Sequence, residues 1–207
     1  MRPRYIVIEG ANGAGKSTVA SALVEHLRHL HTDGDGRAVC AVTAPSTETA
    51  VGRLVSAAFL GKEAVHLRAM SYLMLADAVE RDDYARAMMD LGYVVVSDRH
   101  TLVSGLAYQA EVYSVTDVIA MQVRHQFLQP DVTIILDVPA DVAEERIIVR
   151  AKLRNGVFEV KDPAYQERLR QRYLAYAAMF TNVYVLNGER AVDELVRSIM
   201  KIMETHR

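Results

Sequence analysis

Short apolar runs alternate with longer stretches of helical period along this chain. Tyr5–Ile8 is followed by a helix-like stretch from Lys16 to Leu30, and Arg37–Thr43 is a second β-rich run. Helical pattern then dominates from Thr49 to Leu91. Tyr93–Val96, Val132–Asp137 and Asn182–Leu186 are three further strands, the last leading into an amphipathic helix from Ala191 to Met203. These strands are apolar throughout instead of alternating, as expected when helices cover both faces of a parallel sheet. The order of elements predicts a doubly wound α/β fold. No repeat or linker divides the chain, so residues 1–207 read as one domain. His31–Gly36 is a turn cluster between a helix and a strand, not a boundary.

Composition changes this picture little. The 207 residues hold 24 Lys+Arg against 26 Asp+Glu, a formal charge of −2, and the pI is about 6.4. That balance argues against a nucleic-acid binder, which would show a basic stripe. With 51% hydrophobic and 24% charged residues the chain is of ordinary globular composition. Its one cysteine, Cys40, reads as a small buried strand residue in a protein of a reducing compartment. The first apolar run is cut short by Glu9, so no secretory signal is expected, and no run approaches a membrane span. The expected location is the cytoplasm.

The chemistry begins at Gly10-Ala11-Asn12-Gly13-Ala14-Gly15-Lys16-Ser17, between the first strand and the first helix. The segment fits the spacing of a phosphate-binding loop, and its strand–loop–helix setting is the one that spacing needs. Glycines let backbone N–H groups approach phosphate oxygens, and the following helix turns its positive end toward the same anion. Lys16 brings a full charge to the β- and γ-phosphates from a position that reads as solvent-facing. Ser17, followed by Thr18, is placed to ligate Mg²⁺. The expected ligand is a nucleoside triphosphate.

A second group follows the third strand, at Ser97-Asp98-Arg99. An acid at the carboxyl end of a buried parallel strand faces the crevice where α/β sheets bind ligands. Asp98 is therefore a candidate for the Mg²⁺ shell and Arg99 for a phosphate, the alternative being a surface ion pair. Asp137 also ends an apolar strand, and there strand termination with capping of the next helix is the favoured reading. Arg146, Arg150 and Arg154 recur every four residues, with Lys152 between them. Like charges on one helix face repel unless an anion joins them. The segment at about 150–162, with Asn155-Gly156 and Pro163, reads as a mobile lid that closes over the transferred phosphoryl group. A solvated helix face balanced by Glu144 and Glu145 is the alternative.

Several further segments carry a resemblance. They are Ile8-Glu9-Gly10 with the loop, Thr43–Gly52, Ser71–Glu80, Ser97-Asp98-Arg99-His100, and Ala107-Tyr108-Gln109. Pro130–Val138, Glu145-Arg146 and Glu167–Leu174 complete the set. Over nearly its whole length the chain resembles the thymidylate kinase family of nucleoside monophosphate kinases. That resemblance implies a P-loop NTPase fold with a five-stranded parallel sheet, ATP as donor with Mg²⁺, a deoxynucleoside monophosphate acceptor, and a homodimer. It implies catalytic roles for Lys16, Asp98, Arg99, Arg150 and Arg154, and metal contacts through Ser17 and Asp98. It also implies acceptor contacts through Asn12, Met74, Ala78, Arg99, Ser104, Tyr108 and Gln109.

The chain departs from that pattern on the acceptor side. Thr43-Ala44-Pro45-Ser46 lacks the arginine expected to hold the acceptor phosphate, and Met74 and Ala78 stand where a stacking phenylalanine and a base-reading arginine are expected. Asn12 replaces an acid, and the stretch from Asp98 to Tyr108 is one residue longer. Arg53 and Arg68 are possible substitutes. Some members carry a catalytic arginine in the phosphate loop, where this chain has Gly13, so here the closing segment is expected to supply it. The leading expectation is phosphorylation of dTMP or a related pyrimidine nucleotide, modified ones included. Open beside it are the same fold with another acceptor, a modified base within DNA included, and a regulatory ATP-binding module without turnover.

Overall fold

The computed structural model describes residues 4–32, 34, 36–100, 103, 104, 107, 114–154 and 163–206, the side chains of 67, 115 and 150–154 excepted. Five strands are present: β1 (Tyr5–Glu9), β2 (Val39–Thr43), β3 (Val94–Asp98), β4 (Val132–Asp137) and β5 (Val183–Asn187). All pair in parallel, in the order β2-β3-β1-β4-β5. Among the described residues seven helices accompany them. They are α1 (Lys16–Thr32), α2 (Ala50–Phe59), α3 (Leu67–Asp90), α4 (Val115–Arg124), α5 (Ala140–Arg154), α6 (Pro163–Ala177) and α7 (Val192–Thr205).

Strand parity divides the core. Ile6 and Ile8 of β1 join Val94, Val96, Ile134 and Leu136 beneath α1 and α7. Tyr5 and Val7 point to the opposite face, where Ala85 of α3 joins Val95 and Cys40. Leu169, Tyr173 and Tyr176 of α6 close that second face over Ile135. Every residue of β1 is buried, as a central strand covered on both faces must be, whereas the edge strands β2 and β5 are partly exposed.

Three expectations change. The helical stretch from Thr49 to Leu91 is two helices, because α2 ends at Phe59 with Leu60 as its cap, and Gly61 takes the left-handed φ of +67° that no helix continues. Thr49 caps the start of α2 by accepting from the Gly52 N–H, and His66 caps α3. Helical period runs through both, which is why the sequence pattern merged them. Helix α4, opened by a Ser114–Asp117 capping box, was not anticipated at all. Finally, α5 continues to Arg154, so residues 150–154 are helical in backbone and are not part of a loop. Residues 155–162, the rest of the expected lid, lie outside the described residues.

Candidate active site

The carboxyl ends of β1 and β3 lie side by side, with Ile8 in register with Asp98. Whatever leaves these two strands therefore converges in the crevice beyond them. From β1 comes the glycine loop, and two of its glycines are obligatory. Gly13 has φ +82°, and a Cβ there would stand 2.3 Å from the Ala143 carbonyl oxygen at the start of α5. A Cβ on Gly10 would meet the Leu136 carbonyl at 2.6 Å. Gly13 cannot be replaced by an arginine in this packing, which gives a physical reason for its lack of charge.

Lys16 opens α1 and is only 6% exposed, not solvent-facing as the sequence reading had it. The chain folds it back so that Nζ donates to the Ala11 carbonyl at 2.7 Å. That carbonyl also accepts the Ala14 N–H at 3.2 Å, so the ammonium sits inside the curve of the loop. Ser17 and Thr18 follow on the first turn and are exposed. The Ser17 hydroxyl donates to Asp98 Oδ2 at 2.5 Å, joining the loop to the end of β3. Asp98 Oδ1 is buried and has no hydrogen-bond partner among the described residues. Buried polar atoms are rarely left unpaired without a reason. A hydroxyl and a carboxylate with one unspent oxygen suit a hard, oxygen-seeking cation such as Mg²⁺.

Arg99 lies between Asn12, whose Oδ1 accepts from Nη2 at 2.8 Å, and Tyr173, whose hydroxyl accepts from Nη1 at 3.3 Å. Arg99 and Asn12 are thus brought together as expected. Ser104 is nearby and donates through Oγ to Glu9 Oε1 at 2.8 Å. Met74 and Ala78 lie one turn apart on α3, half-buried and buried respectively. Tyr108 and Gln109, and the side chains of Arg150 and Arg154, lie outside the described residues. Arg146 donates to the Gly188 carbonyl at 3.1 Å, and Arg53 to the Glu48 carbonyl at 2.8 Å. Arg68 is exposed at the start of α3, beside His66 and Tyr72.

Asp137 requires a correction. It does not serve merely as a strand end: its two oxygens take Arg170 Nε at 2.6 Å and Nη2 at 2.9 Å. This two-pronged pair clamps α6 to the end of β4 and holds the Arg170 guanidinium firmly in its charged form.

Sequence reasoning also missed three groups. Glu9 was read as the end of an apolar run and as part of the resembling Ile8-Glu9-Gly10 segment, with no role of its own, yet it closes β1 and is 0% exposed. The argument applied to Asp98, an acid at the end of a buried strand, would have found it. Tyr173 carried no role. Asp77 of α3, also buried, accepts the Ser46 N–H and Arg81 Nε, each at 2.9 Å, and so ties α3 to the segment after β2. An i, i+4 acid–arginine pair is common on solvated helices, and nothing in the sequence marked this one as buried.

His100, next to Arg99, is buried against Tyr5 with Nε2 at 2.9 Å from the Leu128 carbonyl. Burial pushes its imidazole down from 6.5 to about 4, the Leu128 carbonyl partly opposing this and the Arg81 charge adding to it. Unfolded chains take up this proton near pH 6.5, whereas the folded form resists until about pH 4. Stability present above pH 6.5 is therefore lost as pH falls through that window, on the order of 3 kcal/mol in total. His100→Gln keeps a donor for Leu128 and removes the titration. Urea unfolding at pH 7 and pH 4.5 should show a smaller acid loss in this variant, and an unchanged loss would contradict the assignment.

Comparison with known proteins agrees with the loop and the sheet. The family described as thymidylate kinase matches residues 8–199 of this chain. The thymidylate kinase of Nitrosomonas europaea is 33% identical over 210 residues, covering 98% of this chain and 93% of its own length. That of Idiomarina loihiensis is 30% identical and covers 100% and 99%. A probable thymidylate kinase of Pyrococcus abyssi is 30% identical and covers 99% and 97%. A full-length family match on an all-parallel five-stranded sheet, with the phosphate loop at its centre, has one meaning: this chain belongs to the thymidylate kinase family and is an enzyme of the nucleoside monophosphate kinase class.

Proposed function

We propose that the chain transfers the γ-phosphoryl group of ATP to a deoxynucleoside monophosphate, dTMP or a related pyrimidine nucleotide. A phosphate oxygen of the acceptor forms a bond to the γ-phosphorus, the bond to the β,γ-bridging oxygen breaks, and ADP leaves with a nucleoside diphosphate as co-product. The observation that supports this most strongly is the Ser17–Asp98 hydrogen bond with its unspent, buried Asp98 Oδ1. In this reading residues Gly10 to Thr18 cradle the donor phosphates, and Lys16 swings from the Ala11 carbonyl to the β- and γ-oxygens. Ser17 and Asp98 would hold Mg²⁺, which when bound neutralises charge on the donor phosphates. Arg99 and Asn12 face the acceptor phosphate, with Ser104, Tyr108 and Gln109 along its other side and Met74 and Ala78 toward the base. Arg150 and Arg154 approach the transferred group from the closing segment. A cytoplasmic homodimer is the working assembly, and the exposed Phe59 and Tyr72 on α2 and α3 suit burial against a second copy.

A second reading keeps the donor chemistry and changes the acceptor. It is favoured by Ala44 and Met74, and by the Asp77–Arg81 pair that brackets Ala78 on α3. Losing a guanidinium for the phosphate and an aromatic ring for the base each removes a favourable contact. The expected dTMP KM therefore lies high in the ordinary enzyme range, at about 0.1–1 mM. Coupled ADP release across a panel of nucleoside monophosphates, modified pyrimidines included, measures this. A low-micromolar KM for dTMP would overturn the reading of these departures, and a much better substrate that is not a relative of dTMP would establish the second reading.

A further inference from the structure

We propose that Glu9 is a positioning residue, which through its carboxylate and the Tyr173 hydroxyl fixes both the backbone and the guanidinium of Arg99 toward the acceptor phosphate. The inference rests on the reading of Arg99 as the acceptor-side cation and adds what aims it. It starts from strand parity: residue 9 shares the face of Tyr5 and Val7, so its side chain enters the layer between the sheet and α6. A carboxylate there, with no exposure to water, requires hydrogen-bond donors on both oxygens. The structure supplies them. Oε1 accepts the His100 N–H at 2.7 Å and the Ser104 hydroxyl at 2.8 Å. Oε2 accepts the Tyr173 hydroxyl at 2.9 Å and lies 3.7 Å from Arg99 Nη1.

The same contacts hold an unfavourable backbone. Arg99 has φ +81°, a left-handed conformation that residues with a Cβ adopt only when their surroundings over-determine it. Its N–H donates to the Ile8 carbonyl at 3.0 Å, and its carbonyl accepts the Ser97 hydroxyl at 2.7 Å. Glu9 holds the next N–H, that of His100, so the turn is anchored on both sides. At the side chain, the Tyr173 hydroxyl donates to Glu9 and accepts from Arg99, linking carboxylate and guanidinium beyond their direct approach. The other guanidinium nitrogen reaches Asn12 in the phosphate loop. Glu9 thus ties the ends of β1 and β3 and helix α6 to one cation. A neutral amide at position 9 would set its own N–H donors against one of these donors and remove the negative partner of Arg99.

The test compares Glu9→Gln, Tyr173→Phe and Arg99→Ala, alone and in pairs with Arg99→Ala, using dTMP as acceptor. kcat/KM for dTMP is read from the linear slope of rate against concentration. Glu9→Gln is expected to lower it by roughly tenfold, and Tyr173→Phe by about threefold, with ATP KM within about twofold of the wild type. In the Arg99→Ala background both changes should have less than about a twofold effect, because the residue they act through is gone. Equal losses with and without Arg99, a parallel rise in ATP KM, or wild-type kinetics in both variants would each overturn the proposal. If Glu9→Gln does not fold, the Tyr173→Phe pair decides alone. Wild-type kinetics in Arg99→Ala would instead remove the reading of Arg99 itself, and the proposal with it. An impaired Arg99→Ala beside a normal Glu9→Gln and Tyr173→Phe removes the proposal only.

Discussion

Lys16→Ala is expected to lower kcat by about 10²-fold or more while leaving the protein folded. The expectation survives the finding that Lys16 is buried, but its reasoning changes. The side chain is not a free surface charge, and its removal takes away the 2.7 Å bond to the Ala11 carbonyl. That carbonyl keeps the Ala14 N–H at 3.2 Å, so it is not left unpaired, and alanine suits the first turn of α1. A small change in melting temperature is therefore the structural cost. The catalytic cost is larger, because the ammonium bears most on charge that builds between the β- and γ-phosphates as the bond breaks. Steady-state kinetics beside a thermal melt separate the two, and a folded variant keeping more than half of the wild-type kcat would contradict the role.

Replacing Arg150 or Arg154 is expected to lower kcat by about 10²–10³-fold with little change in ATP KM. Both lie on α5, one turn apart, with Arg146 a turn earlier and already committed to the Gly188 carbonyl. Gly13 cannot carry the charge instead, since the Ala143 carbonyl occupies the space of its Cβ. A guanidinium that engages only as charge develops lowers the barrier without tightening ground-state binding, so the loss should fall on kcat. Single alanine variants and the double variant are the measurement. Near-normal kcat in all three would make this helix end a solvated face and leave the catalytic guanidinium to Arg99 or to a partner subunit.

The parts of the site that follow from local sequence were legible. The phosphate loop announces itself because its glycines, lysine and serine fall within eight residues between a strand and a helix. Asp98 was legible because it ends an apolar run. What was not legible depends on partners far apart in the chain. Glu9 ends a buried strand and was open to the argument used for Asp98, but its pairing with Tyr173, 164 residues away, and that of Asp137 with Arg170, 33 away, leave no spacing to read. The break between α2 and α3 was hidden for a different reason. Helical period runs through two successive helices, and the short turn that separates them, residues 60–66 with left-handed Gly61, carries no proline to mark it. Lys16 was misjudged because a loop charge reads as exposed unless the curvature of the loop is known.

Label transfer tests the central claim most directly. ATP labelled at the γ-phosphate is incubated with the wild-type protein, Mg²⁺ and each nucleoside monophosphate, and the products are separated. The account predicts label in a nucleoside diphosphate, formed one for one with ADP, dependent on the acceptor and lost in Lys16→Ala. Failure of every nucleoside monophosphate to take up label, or acceptor-independent release of the label as inorganic phosphate, would contradict it.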